Sequence, residues 1–307
     1  MTRQRLFGIT IAIFLLALVL SVNIFEEKTK TNVLIILVDD MGFSDVGSYG
    51  GEIYTPHIDQ LALDGLRFTQ AYNTSRCWST RASLMTGYYA QSIRRDPMLG
   101  DEHIPFGGRP RWARLLPQHL KPIGYRTYHS GKWHIDGKPL ENGFDRSYLN
   151  MNELGFFVGI NQELDGRVLP NVRESSSFYE TTITADYAIE FLKDHEVNHT
   201  EEPFFSYIAF NAPHFPIHAK PEDIAIYKDR YRVGWDAIRT ERLERLHSMG
   251  IFNGDLAPLD PLTIPNWNLS QEELKERASP HEVGRAVPWD SLTDDEKEFQ
   301  AISAQIS

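Results

Sequence analysis

Six consecutive apolar residues, Val33-Leu34-Ile35-Ile36-Leu37-Val38, run straight into two adjacent aspartates, Asp39 and Asp40. A β-branched run without polar alternation predicts a strand buried on both faces, as in a parallel sheet covered by helices. The next segments of the chain keep to that plan. Thr55-Pro56 reads as a helix start, with Thr55 as cap and Pro56 at the first helical position, and Gly65 ends it. Leu66 to Tyr72 reads as a short strand, and a second helix is expected from Ser79 or Thr80 through Met85. Pro203 to Phe210 reads as another buried strand, running into the polar loop Asn211-Ala212-Pro213-His214. Strand, helix, strand, helix in this order predicts an α/β fold around a mostly parallel sheet. Further on, Asp236 to Met249 has the pattern of an amphipathic helix with a Glu241–Arg245 pair at i,i+4. Residues 250–288 are Pro-rich and loop-like, and Asp290 to Gln300 suggests one more helix start.

Two arginines, Arg3 and Arg5, precede an apolar stretch from Leu6 to Phe25. A positive segment before about 20 apolar residues is an export signal, and the length also suffices to cross a bilayer. Residues 1–25 are therefore expected to be a signal peptide or an N-terminal membrane anchor, with 26–31 as a polar linker. The expected location is periplasmic or extracellular. The chain carries 31 basic against 42 acidic residues, a net charge of −11. With no basic stripe to neutralise phosphates, a nucleic-acid partner is excluded. A single cysteine, Cys77, excludes a disulfide framework and any Cys-rich zinc site.

Four places could carry chemistry. Asp39 and Asp40 stand where a parallel strand ends, the edge at which α/β proteins place their ligands. Adjacent carboxylates repel unless a cation sits between them, and hard oxygen donors suit Ca²⁺ or Mg²⁺; the same pair also serves simply to form a turn. Arg76-Cys77-Trp78-Ser79-Thr80-Arg81 sets a thiol at a helix start between two arginines. That is a setting for a nucleophile, and equally one for a small packed side chain. Gly131-Lys132-Trp133-His134 and Ala212-Pro213-His214 supply a lysine and two histidines in loops. Such donors suit a tetrahedral oxyanion, although each histidine alone reads as well as a structural residue.

Taken in order, Asp-Asp after the first strand, Cys-x-Ser-x-Arg opening a helix, Gly-Lys-Trp-His and Ala-Pro-His resemble the type I sulfatases of the alkaline-phosphatase-like superfamily. The resemblance spans Asn32 to about Arg245. It includes Thr55-Pro56-His57-Ile58-Asp59, Ala82-Ser83-Leu84-Met85-Thr86-Gly87, Gly143-Phe144-Asp145 and Gly234-Trp235-Asp236-Ala237-Ile238-Arg239. It implies an alkaline-phosphatase-like sheet flanked by helices, with residues 32–249 as the N-terminal catalytic region and 250–307 as a loop-rich part of the same domain. It implies hydrolysis of sulfate esters, with a small sulfate ester or a sulfated glycan as substrate. Cys77 would be converted to formylglycine by a maturation enzyme, and the hydrate of that aldehyde would ligate Ca²⁺ and attack sulfur. Asp39 and Asp40 would ligate the metal together with residue 77. Arg81 would hold the hydrate, His134 would assist it, and Lys132 and His214 would bind sulfate oxygens and assist the leaving group.

The chain departs from the family pattern in two ways. Ser79 stands where the maturation signal usually has proline, which bears on whether Cys77 is converted. The family's remaining metal ligands and second sulfate-binding lysine lie further along than this chain reaches, so it reads as truncated at its C-terminal end, which bears on whether it is active on its own. Two other readings stay open: a pseudosulfatase that binds sulfated glycans without cleaving them, and a phosphonate or phosphate ester hydrolase of the same superfamily. A thiol hydrolase is disfavoured, because no Asn or Asp partner for His134 or His214 is identifiable.

Overall fold

The computed structural model describes residues 30–96, 108–151, 155–173, 177–260 and 269–306. The N-terminal apolar stretch lies outside the described residues. A six-stranded sheet has the order β1-β6-β2-β3-β4-β5, where β1 is Val33–Leu37, β2 Arg126–Gly131, β3 Arg146–Asn150, β4 Gln162–Leu164, β5 Arg167–Val168 and β6 Phe204–Ala209. The first four strands in this order are parallel, and β4 and β5 add an antiparallel margin. The expected α/β class with a mostly parallel sheet is the one observed.

Helices cover both faces. On one lie α2 (Cys77–Thr86) and α3 (Leu116–Leu120), and Met85 of α2, Leu115 just before α3 and Leu116 join a core with Trp133, Phe144, Phe205 and Tyr207; α1 (Pro56–Asp64) has no buried residue and packs by the turn at Gly47–Tyr49. Val33, Ile35 and Leu37 point into this core. On the other face α4 (Glu180–Asn198) packs over β2, β6 and β3, setting Phe191 and Tyr187 against Tyr128 and Tyr148. Beyond β6 come α5 (Pro221–Ile226), α6 (Trp235–Ser248), α7 (Gln271–Arg277) and α8 (Asp294–Ile306). The Glu241–Arg245 pair forms at 3.6 Å on α6. Trp235, Trp289, Leu292 and Ala301 build a smaller core there.

Several expectations need correction. Within residues 250–288, read as loop-like, Gln271–Arg277 form the helix α7, opened by a capping box between Ser270 and Glu273. β1 is buried on one face only, with Leu34 47% and Ile36 51% exposed, because it is the edge strand and α4 stops short of it. Residues 66–72 form no strand. They are exposed and held by side-chain bonds, Tyr49 Oη to the Phe68 carbonyl and Arg67 to the Ser48 carbonyl, in place of a ladder. Thr55 does precede α1, but its hydroxyl makes no capping bond; it accepts from the Gly47 amide and donates to Asp59.

Candidate active site

Asp39 is the second residue after β1, and its amide donates to the Ala212 carbonyl at 3.1 Å, which ties the exits of β1 and β6 together. Its carboxylate, 4% exposed, faces two cations: Arg81 Nη2 is 3.2 Å from Oδ1 and Lys132 Nζ is 2.6 Å from Oδ2. Burial pushes this carboxyl up, but Arg81 and Lys132 outweigh it and hold it below the usual carboxylate range. Both cations are themselves buried, so the three groups form a dry cluster with one positive charge in excess. Arg81 also donates to the Lys132 carbonyl at 3.1 Å and to the Tyr207 hydroxyl at 3.3 Å.

Asp40 behaves differently. Its φ of 65° is left-handed, a conformation aspartate tolerates, and the turn swings its side chain outward. There its Oδ2 lies 3.5 Å from His214 Nε2. The strand end thus sends one carboxylate into the protein and the other to the surface.

Cys77 is the first residue of α2, two to three positions before the expected start. Arg76 precedes it in an extended conformation, and the bond from the Thr80 amide to the Arg76 carbonyl opens the helix. Arg81 is one turn further along, on the same side of the helix as Cys77. The half-buried thiol opens into a cleft of about 340 Å³ that Asp39, Asp40, Asn73, Arg76 and Arg81 also line. Arg76 lies over the Trp78 ring, whose edge meets the His134 ring with centroids 5.6 Å apart. Buried Ser79 donates its hydroxyl to the Arg95 carbonyl.

Of the seven residues singled out from the sequence, Asp39, Asp40, Cys77 and Arg81 line the cleft, Lys132 meets its lining through Asp39 and His214 through Asp40. His134 stands one layer back, against the ring of Trp78, which neighbours Cys77 in the chain. Sequence reading missed Glu180, a buried carboxyl on α4 that accepts from Asn211 at 2.7 Å; a lone glutamate in a helix gives no signal of that kind.

The donor set tests the expected calcium site. Ca²⁺ takes six to eight oxygens. Among the described residues no group of three or more His, Cys, Asp or Glu side chains could hold a metal, and both oxygens of Asp39 already face cations. Asp39 and Asp40 supply part of a hard-cation shell and not a whole one.

A family profile described as Sulfatase matches residues 31–263. An uncharacterized sulfatase of Schizosaccharomyces pombe is 29% identical over 91% of this chain and 51% of its own length. The arylsulfatase of Klebsiella aerogenes is 26% identical over 91% of this chain and 59% of its own. Human N-acetylgalactosamine-6-sulfatase is 32% identical over 68% and 44%. Among solved structures, Ps i-CgsB in complex with k-i-k-neocarrahexaose superposes with a TM-score of 0.55 at 29% identity, covering 72% of this chain and 54% of that one. This chain spans about half the length of the curated relatives it matches. Profile, relatives and sheet topology agree, and the chain belongs to the sulfatase family, within the alkaline-phosphatase-like superfamily.

Proposed function

We propose that the cleft at the carboxyl edge of the sheet is the sulfate-ester site of an exported sulfatase, with residue 77 as its nucleophile after conversion to formylglycine. The observation that carries this reading is the placement of Cys77 and Arg81 one turn apart on α2, in the same cleft as Asp39 and Asp40. Formylglycine at 77 supplies a hydrated aldehyde, a hydroxyl nucleophile for sulfur. The residues around it do the rest. Arg81 and Lys132 keep fixed positive charge beside the place where the transferring group gains negative charge, in a setting with little water to screen it. His214, at the mouth beside Asp40, is placed to give a proton to the departing alcohol oxygen, and His134 stands by Trp78 to assist at residue 77.

Asp39 and Asp40 are the carboxylates that would hold part of the shell of Ca²⁺ or Mg²⁺, whose charge would polarise a bound sulfate oxygen. A sulfated sugar is the substrate class we favour. One solved relative of the same fold, 21% identical with a TM-score of 0.54, holds its substrate D-glucosamine-2-N,6-O-disulfate, and a curated relative is an N-acetylgalactosamine-6-sulfatase. Export, through residues 1–25 as signal or anchor, and conversion by a maturation enzyme belong to the same proposal.

The test is a mass measurement joined to an assay. Trypsin releases Cys77-Trp78-Ser79-Thr80-Arg81; in a host carrying the maturation enzyme this peptide should bear an aldehyde, and the protein should cleave an aryl sulfate faster than the matching aryl phosphate. Preference for the phosphate would move the assignment to the phosphoester branch of the superfamily. A second reading, binding of sulfated glycans without turnover, is favoured by Ser79 at the position where the maturation signal carries proline. An unmodified thiol together with retained binding of a sulfated sugar would establish it and end the first.

A further inference from the structure

The carboxyl of Glu180 lies beneath the site and takes no part in the chemistry above. It begins α4, is 1% exposed, and accepts a hydrogen bond at Oε1 from Asn211 Nδ2 at 2.7 Å. Oε2 has no hydrogen-bond partner among the described residues. A buried carboxyl left half satisfied costs stability, so the bond that it does make is the one that anchors it.

Its surroundings show what that bond holds. The start of α4 is held at two points: the Glu180 amide donates to the Phe156 carbonyl in the connection between β3 and β4, and Ser130, near the end of β2, donates to the Thr184 carbonyl one turn further along at 2.6 Å. Asn211, which Glu180 holds, is the second residue after β6 and is itself buried. The Asn211 carbonyl accepts from the His214 amide at 2.9 Å, and the Ala212 carbonyl accepts from the Asp39 amide. One rigid carboxylate therefore secures the root of the loop that both carries His214 and grips the backbone of Asp39.

We propose that Glu180 is a positioning residue of the active site: through Asn211 it fixes the loop that presents His214 beside Asp40. The role assigned to His214 rests on the sulfatase reading; the control of the loop does not. Loss of the bond frees Asn211 to turn, and the His214 ring loses its place at the cleft mouth while the sheet itself stays intact.

The charge of Glu180 tunes this hold. Burial pushes its carboxyl up to about 7, against the Asn211 bond and the charge of Lys132, which lower it. Among the described residues, Lys132 just after β2, Tyr148 on β3 and Tyr179 just before α4 are the titratable groups that act on it or feel its charge. Once ionised, Glu180 accepts a charge-assisted bond, which is stronger than the neutral one. The loop is held more firmly above neutrality than below it.

Amide exchange followed by NMR on the full chain tests this without reference to turnover. Glu180→Ala should speed exchange at His214 at least ten-fold while β2 and β6 change less than two-fold. Glu180→Gln, which keeps an oxygen for the Asn211 amide, should restore most of the protection. After correction for intrinsic rates, wild-type protection at His214 should rise as pH passes about 7, and that rise should vanish in Glu180→Gln. If Glu180→Ala does not fold, Asn211→Ala removes the same bond from the other side and should give the same local loss. Unchanged exchange at His214 in whichever of these variants folds, or loss spread evenly through the sheet, overturns the proposal. On active enzyme, Glu180→Ala should lower kcat about ten-fold with little change in KM, and Glu180→Gln should recover it at low pH. Local exchange behaving as described in a protein without sulfatase turnover would uphold the positioning role and count against the functional reading alone.

Discussion

Lys132 Nζ lies 2.6 Å from Asp39 Oδ2, and both residues are buried. Arg81 shares the same carboxylate, so Asp39 separates two cations that would otherwise face each other out of reach of water. Asp39→Asn should therefore destabilise the chain by about 3 kcal/mol in urea unfolding, because it strands both charges. Lys132→Met should cost less, since Asp39 keeps Arg81. The double variant should be more stable than Asp39→Asn alone, an ordering that two independent losses would not give.

Ser79 offers a test of the maturation signal. Its amide lies in the first turn of α2, ahead of the Thr80 bond that opens the helix, so proline there removes no intrahelical hydrogen bond. Ser79→Pro loses the hydroxyl bond to the Arg95 carbonyl, a cost of about 1 kcal/mol. The fraction of residue 77 recovered as aldehyde, read from the tryptic peptide mass, should rise in this variant. An equal or lower fraction would show that the serine is no obstacle.

Glu52 joins the loop beyond Asp40 to α6 through two bonds with Arg242, at 2.6 and 2.8 Å. Burial pushes the Glu52 carboxyl up, but Arg242 outweighs it and the group sits below its ordinary range. A depressed carboxyl stabilises the fold above its unfolded pKa of about 4.3, and that contribution fades as pH falls below this value. Glu52→Gln should lose roughly 2 kcal/mol at neutral pH, with Arg242 partly solvated. The gap from wild type should close on acidification, as urea unfolding at both pH values would show.

His129 predicts acid sensitivity of a different origin. It is fully enclosed by Trp133, Phe144 and Tyr207 and pairs through Nδ1 with the Ser147 hydroxyl at 2.9 Å. Burial drives its pKa down to about 3. Between about pH 6.5 and 3 the unfolded chain binds a proton that the folded one refuses. Stability should fall with pH across that window by up to about 1.4 kcal/mol per unit. His129→Gln should flatten this slope, whatever it does to stability at neutral pH.

The strands that frame the cleft differed in how plainly the sequence announced them. β1 and β6 are apolar runs and could be read directly. β2 and β3 could not, because Thr127, His129, Ser130, Ser147 and Asn150 are buried polar residues that no hydrophobic period reveals. They are tolerated because partners such as His129 and Ser147 satisfy one another across the sheet. Leu66 to Tyr72 failed in the opposite sense, with strand-like residues and no neighbouring strand to complete the ladder. The seven candidate site residues could be named because the order of their motifs along the chain resembles that of the sulfatases; each motif alone left a structural reading open. Glu180 was not, since its significance comes from Asn211, a residue 31 positions away.

The pairing of β1 with β6 also sets an order of events during synthesis. Asn32 Oδ1 accepts from the Phe204 amide across 172 residues, and the ladder between the two strands begins there. On the ribosome, this apolar strand waits for some 172 further residues before its partner β6 can pair with it. Closing so long a loop adds little to the thermodynamic cost but delays the first stabilising contact. For all of that interval Val33, Ile35 and Leu37 lack the core they later join, and the strand is a bare adhesive strip, a handle for a holding chaperone and a point from which a stalled chain would aggregate.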